Sequence, residues 1–258
     1  ALTPVAKIKP INIGGVLVSN ATLHNEDEID RKDIRIGDTV IVERAGDVIP
    51  HILSVDLKKR SKDIKKFIFP KDCPSCGSKT IKEFNILTKK KDAVRRCTSE
   101  GYECEKITIE KLKHFVSKEA LNIDGFGKKI VENFYKLKFI KLPQDIFKLE
   151  GWGRLSVENL RYSINEKKNI SIERLIYSLG IRHIGLENAK LISKHFKSFS
   201  KFNALSKTEK YNELLNIDGI GETQVNSVKN FFSNKVNLDV LNQLAEILDI
   251  KDVTEDNK

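Results

Sequence analysis

The chain has 258 residues, 40% of them apolar, which is enough for sizeable cores in two or three domains. Its formal net charge of +10 favours a polyanionic partner, nucleic acid ahead of an acidic membrane surface, although a basic balance also serves plain solubility. The longest apolar runs, such as Gly15–Val18 and Val40–Val42, are far too short to cross a bilayer, and the opening "ALTPVAKIKP" lacks the charged start and apolar stretch of a secretion signal.

Residues 1–57 read as β structure. "VAKIKPINIGGVLV" and "DTVIVERAGDVIPHILSVDL" are rich in Val and Ile, with partial alternation and Gly, Asp and Pro punctuation. Between them "NATLHNEDEIDRKD" is polar and reads as a loop with a short helix. So short a set of strands must close on itself or pack on a partner, which suggests a small barrel. The charged stretch "LKKRSKDIKK" leads out of it.

All four cysteines follow, within 32 residues: Cys73, Cys76, Cys97 and Cys104, in the frame C-P-S-C-G-x19-C-x6-C. Two thiolates two residues apart, with a glycine just after, can turn onto one ion, and a second pair completes a closed tetrahedral zinc site of structural type. The segment has few apolar residues, so metal would supply much of its folding energy. Unrelated thiols and two disulfides are the alternatives. A Lys-rich chain without a secretion signal fits a reducing cytoplasm, which argues against disulfides.

From about residue 107 the pattern turns helical, and "ITIEKLKHFVSKEAL" places Ile109, Leu112, Phe115 and Val116 at helical spacing. "LNIDGFG" then stands at 121–127, and "LNIDGIG" recurs at 215–221. Each reads as an apolar helix end, a tight hairpin carrying two glycines, and the start of a second helix. Glycine tolerates the positive φ of such a hairpin and lets backbone approach a ligand, and the unpaired N–H groups of the second helix form an anion site suited to a DNA phosphate. "FKLEGWGRLSVENL" (147–160) is a further copy, and "LIYSLGIRHIGLENAKLI" (175–192) a degenerate one in which His183 replaces the first glycine. The candidate phosphate contacts are Gly125, Gly127, Lys128 and Lys129 in the first hairpin, Gly151, Gly153 and Arg154 in the second, Gly185 in the third, and Gly219 and Gly221 in the fourth. Helix packing without DNA contact is the alternative for every copy. It weighs most for the third, with its missing glycine and Glu187; in the fourth, Glu222 stands where a lysine would help most.

"KLEG" at Lys148–Gly151 has the outline of the nucleotidyl-transfer motif K-x-D-G, but Glu replaces Asp and Gly151 already has a role in a hairpin, so the likeness reads as coincidence. No segment offers a nucleophile with a base, paired catalytic carboxylates or a phosphate-cradling loop. The five histidines are scattered.

Taken together, "TPVAKIKPINIGGVLVSNATLHNEDEI", "RIGDTVIVERAGDVIP", "FPKDCPSCGS" and "LKHFVSKEALNIDGFG" closely resemble the bacterial NAD-dependent DNA ligases, over almost the whole chain and in the family's order. The resemblance implies a multidomain fold. An all-β oligonucleotide-binding (OB) barrel occupies 1–70, a small four-cysteine zinc finger 71–106, and an all-α domain of four helix-hairpin-helix motifs 107–242, with a tail or linker over 243–258. It also implies sealing of 3′-OH/5′-phosphate nicks in duplex DNA during replication and repair, through lysyl-AMP and DNA-adenylate intermediates. AMP would come from NAD with Mg²⁺, Zn²⁺ would sit in the finger, and a cytoplasmic monomer with no membrane partner would do the work. In "ERAGDVIP" the residues matched to the nick-contacting motif are Arg44, Val48 and Ile49. Arg offers a fixed donor fork to phosphate, and a salt bridge to Glu43 or a nearby Asp is the alternative. The family's nucleotidyltransferase domain, with its lysine nucleophile, and its BRCT domain have no counterpart in these residues. The chain is therefore expected to carry no catalytic residue and to be inactive alone. The last cysteine pair is one residue wider than the family's. A freestanding, non-catalytic DNA-binding module is the second reading.

Overall fold

A computed structural model describes residues 1–44, 49–85, 89–149 and 156–253. The chain forms two compact units, Ala1–Ser99 and Glu100–Lys258.

The first unit opens with an antiparallel pair, β1 (Val5–Ile13) and β2 (Val16–Thr22). Gly14 and Gly15 join them, with φ of 59° and 80°. Two left-handed residues in a two-residue loop match the twist of the strands, and only glycine adopts them cheaply. The register slips between Lys7 and Ile11, around Pro10, which has no N–H to give the ladder. The polar segment folds as α1 (Glu26–Arg31), capped by the Asn25 side chain, which accepts from the Glu28 N–H at 3.0 Å. Strands β3 (Val40–Glu43) and β4 (His51–Val55) complete a sheet of order β1-β2-β4-β3, in which β2 and β4 meet in parallel at Thr22 and His51. The apolar core here is small: Val18, Ala21, Ile29 and Ile52 are buried. Ion pairs supplement it. Arg60 donates to Asp38 through Nε (2.7 Å) and Nη2 (2.8 Å), and to the Asp33 carboxylate (2.6 Å) and carbonyl (2.5 Å). That clamp fixes the basic stretch leaving the sheet. An antiparallel hairpin, β5 (Thr80–Asn85) and β6 (Lys90–Cys97), follows. Arg95 on β6 donates to both Glu26 oxygens, and Lys82 on β5 pairs with Glu26 and Asp27, so the hairpin is held on the acidic first turn of α1.

The second unit is helical: α2 (Glu105–Phe115), α3 (Lys128–Lys136), α4 (Ser156–Glu166), α5 (Ile172–Ser178), α6 (Leu186–Phe196), α7 (Phe199–Thr208), α8 (Glu222–Ser233) and α9 (Lys235–Ile247). Ile109, Leu112, Phe115 and Val116 are all buried, as their spacing on α2 predicts. One continuous apolar cluster runs through the unit from Leu112 to Leu248. At about 1.5–3 kcal/mol for each fully buried large aliphatic or aromatic side chain, this cluster is the main stabilising contribution in the unit.

Two details differ from the sequence reading. The elements before the second and fourth hairpins are six-residue 3-10 turns, Pro143–Lys148 and Tyr211–Asn216, rather than helices. Pro143 starts one of them, and both are too short to gain from continued helix propagation. Where a tail is expected from 243, α9 continues to Ile247 and β8 (Asp249–Lys251) pairs in parallel with β7 (Asn169–Ser171). The reason is the spacing of Leu241, Leu244 and Leu248, all buried, which prolongs the apolar face of α9 past the expected boundary.

Candidate nucleic-acid interface and cysteine centre

The three described hairpins share one backbone. The residue before the last apolar position is left-handed in each: Gly125 (φ 79°), His183 (61°) and Gly219 (89°). A turn hydrogen bond follows, from Phe126 to Ile123 (3.2 Å), Ile184 to Ile181 (3.1 Å) and Ile220 to Ile217 (3.0 Å). Those six apolar side chains are all buried. The second glycine is then the N-cap of the next helix in extended conformation: Gly127 (φ −69°, ψ 166°), Gly185 (−81°, −178°) and Gly221 (−110°, 179°). Positive φ is therefore needed only at the first glycine. Histidine meets that need in the third copy, so its missing glycine does not break the turn. At the second glycine the absent side chain, not the torsion, is what matters: a Cβ at Gly127 or Gly185 meets nothing within 4 Å.

In the first hairpin the N–H groups of Gly127, Lys128 and Lys129 have no hydrogen bond among the described residues, no side chain caps the helix, and both lysines are exposed. Uncapped N–H groups at a helix start, with two cations beside them, have the chemistry to attract an anion. In the third hairpin Gly185 is likewise uncapped, but Glu187 stands in the first turn, holding Lys190 at 2.8 Å, and Asn188 donates to the His183 carbonyl at 3.0 Å. In the fourth the Gln224 side chain accepts from the Gly221 N–H at 3.2 Å, and Glu222 opens the helix. Gln224 has the spacing of a capping-box partner, a signal in the sequence that went unread. Arg174 on α5 donates to the carbonyls of Ala120 and Lys118, both at 2.7 Å, which holds the entry to the first hairpin. Its partners lie more than fifty residues away, so no local pattern marks it. Gly151, Gly153 and Arg154 lie outside the described residues. Lys148 Nζ donates to the Gln243 side chain at 3.0 Å. In the first unit Ile49 is 71% exposed, Arg44 is partly buried and has partners within the chain, and Val48 lies outside the described residues.

The four cysteines come together. Their sulfurs all lie within 4.8 Å of one another, with Cys76 and Cys97 3.5 Å apart and every thiol free of disulfide bonds. Four thiolates around zinc at about 2.3 Å sit roughly 3.8 Å apart, so this cluster fits a tetrahedral ion. Gly77 (φ 76°) gives the turn after the first pair, with the Cys73 N–H donating to the Ser78 carbonyl at 2.7 Å. The Ser78 and Ser99 hydroxyls, each 3.4 Å from Cys76 Sγ, hold that thiol down to about 5, while burial pushes Cys97 up to about 11. The wider spacing of the second pair is taken up by a turn at Glu100–Glu103, with Gly101 at φ 53°, after which Cys104 is the N-cap of α2.

Residues 1–64 match the family description "NAD-dependent DNA ligase OB-fold domain", and residues 174–241 match "Helix-hairpin-helix motif". A DNA ligase of Pelagibacter ubique (strain HTCC1062) is 71% identical over 98% of this chain. DNA ligases of Ehrlichia canis (strain Jake) and Parvibaculum lavamentivorans are 46% and 45% identical over 97% and 95% of it. The chain spans 39%, 38% and 37% of those three relatives. With its OB-fold region, clustered cysteines and helix-hairpin-helix region in that order, the chain is similar over nearly its whole length to a segment of these bacterial DNA ligases.

Proposed function

We propose that this chain is the DNA-clamping portion of an enzyme that seals 3′-OH/5′-phosphate nicks in duplex DNA. The observation that carries the reading is the uncapped start of α3, where three backbone N–H groups and two exposed lysines converge beyond a hairpin that the chain repeats. Backbone N–H groups that meet phosphate read no base, so the clamp serves a nick in any sequence. Arg44 and Ile49, with Val48, contact the nicked strand from the OB unit. The chain works as a monomer in the cytoplasm, as the functional segments 1–70, 71–106 and 107–242. Adenylation with NAD and Mg²⁺ belongs to a nucleotidyltransferase segment, and this chain alone forms no protein–AMP adduct. Zinc held by Cys73, Cys76, Cys97 and Cys104 supplies a structural cross-link.

Anisotropy of a labelled nicked duplex titrated with the chain tests the clamp. Affinity should be independent of base sequence and fall linearly in log–log form with salt, with a slope of about −0.9 per phosphate contact. Salt-independent binding would falsify the clamp. Replacing the matched segment of the Pelagibacter ubique relative with residues 1–258 should leave a ligase that seals nicks only with NAD. For the metal, protein purified without chelator should carry one zinc per chain, and Cys97→Ser should lose it while the far-ultraviolet helical signal largely persists. Metal-free protein with an intact hairpin β5–β6 would remove the zinc assignment.

A further inference from the structure

At the C-terminal end of α3 the second unit has a cavity of about 660 Å³, whose apolar and aromatic lining residues are Tyr102, Tyr135, Leu142 and Val236. Nearby apolar groups also face water: Leu137 is 62% exposed, Phe139 48% and Val236 40%. Apolar side chains gathered around a concavity mark a place where something apolar binds. The rim is cationic. Lys136, Lys138 and Lys141 line it, all three are exposed, and none makes an ion pair among the described residues. Along the axis of α3 the cavity lies about 12 Å from Gly127, at the other end of the helix from the phosphate-facing N–H groups.

We infer that this cavity docks an acidic protein segment that inserts one bulky apolar side chain between Tyr135, Leu142 and Val236 while its carboxylates meet Lys136, Lys138 and Lys141. One observation favours a peptide with an apolar centre over a nucleotide. Glu103 and Glu105 line the same cavity and would repel a phosphate placed inside it. A segment with its charge on the flanks and an apolar centre avoids that repulsion and covers the exposed carbon. The cavity and the DNA-binding hairpin are therefore separate sites that can be filled together.

The test uses the 258-residue chain and a fluorescein-labelled peptide with a central Leu-Phe pair between runs of Asp. Controls are the same peptide with Ser-Ser at its centre and a labelled thymidine oligonucleotide. The Leu-Phe peptide should bind saturably, the Ser-Ser peptide at least about tenfold more weakly, and unlabelled nicked duplex should not displace the first. Val236→Glu should weaken Leu-Phe binding by at least about tenfold. Should Val236→Glu fold poorly, the exposed pair Lys138→Glu/Lys141→Glu should weaken it by about tenfold at low salt and leave the melting temperature unchanged. Equal binding of both peptides, or displacement by duplex, would reduce the site to surface charge and overturn the inference. Oligonucleotide binding that Val236→Glu abolishes, without peptide binding, would make the cavity a nucleic-acid site instead.

Discussion

The hairpins at 121–127 and 215–221 share six of seven residues, yet of the two only the first leaves the N–H of its second glycine unbonded among the described residues and follows it with two lysines. The turn itself is the same in both: glycine at φ 79° or 89°, the same hydrogen bond across it, and a second glycine at the helix start. What differs lies outside the repeated letters. In the first, Leu121 is 3% exposed and the chain enters through left-handed Asn122. In the fourth, the same leucine, Leu215, is 45% exposed at the end of a 3-10 turn. After the second glycine the first hairpin continues with Lys128 and Lys129, and the fourth with Glu222, Thr223 and Gln224, whose side chain takes the Gly221 N–H for itself. The repeated motif encodes a turn; the residues that follow set the charge and the capping of the helix start.

Three sets of variants would break or sharpen that contrast. The largest effect is expected from Gly127→Val. Its φ of −69° is ordinary and the space around a Cβ is open, so the fold should persist while the side chain blocks approach of a phosphate. Losing charge-assisted hydrogen bonds of about 1.5–3 kcal/mol should lower duplex affinity tenfold or more at an unchanged melting temperature. Gly221→Val should lower it far less. If the two lose affinity equally, the hairpins are equivalent and the contrast is wrong.

The next effect is on stability. Valine at Gly125 or Gly219 forces a β-branched residue into left-handed backbone, at a cost of about 1–2 kcal/mol. At Gly219 its Cβ would also stand 3.2 Å from Leu191 Cδ1, whereas at Gly125 the nearest atom, Leu160 Cδ1, is 3.8 Å away. Chemical denaturation should rank Gly219→Val below Gly125→Val. The reverse ranking would mean that Leu191 yields easily.

The smallest effect is a transfer of charge and cap. Lys128→Ala should make the salt slope shallower by roughly one unit with a mild loss of affinity. Glu222→Lys with Gln224→Ala should steepen it by about as much, because the fourth hairpin then gains a cation and a free Gly221 N–H. An unchanged slope in the double variant would place the fourth hairpin away from DNA altogether.

Much of this was legible in the sequence because it is local. The glycine pairs at 125/127 and 219/221, the C-x2-C pair and the apolar spacing of α2 constrain backbone over a few residues, and these appear where their patterns put them. The extent of α9 escapes a boundary placed after Asn242 by domain order rather than by the spacing of Leu244 and Leu248. The 3-10 turns were missed because an apolar residue at each end of a short segment reads equally well as a helix. The hold of Arg174 on Ala120 and Lys118, and of Arg95 on Glu26, joins residues far apart in the chain, and no period or motif encodes such a pair. The difference between the two helix starts is half visible in the sequence: Lys128 and Glu222 give the charges, while the cap from Gln224 is clear only once the helix start is fixed.

The clamp at Arg60 makes the OB unit a titrating device. Hydrogen bonds from Arg35 and then Arg60 hold the Asp33 carboxyl down to about 2, and Arg60 holds the nearly enclosed Asp38 below its ordinary range. A carboxyl whose folded value is depressed stabilises the fold fully above its unfolded value, near 4, and that contribution fades as pH falls toward 2. The exit stretch around Arg60 should therefore stay fastened through neutral and mildly acid solution and come loose only between about pH 4 and 2. Arg60 meanwhile remains charged but spends four of its five N–H donors inside the unit. It counts toward the net charge of +10, yet it has at most one donor left to offer an incoming phosphate.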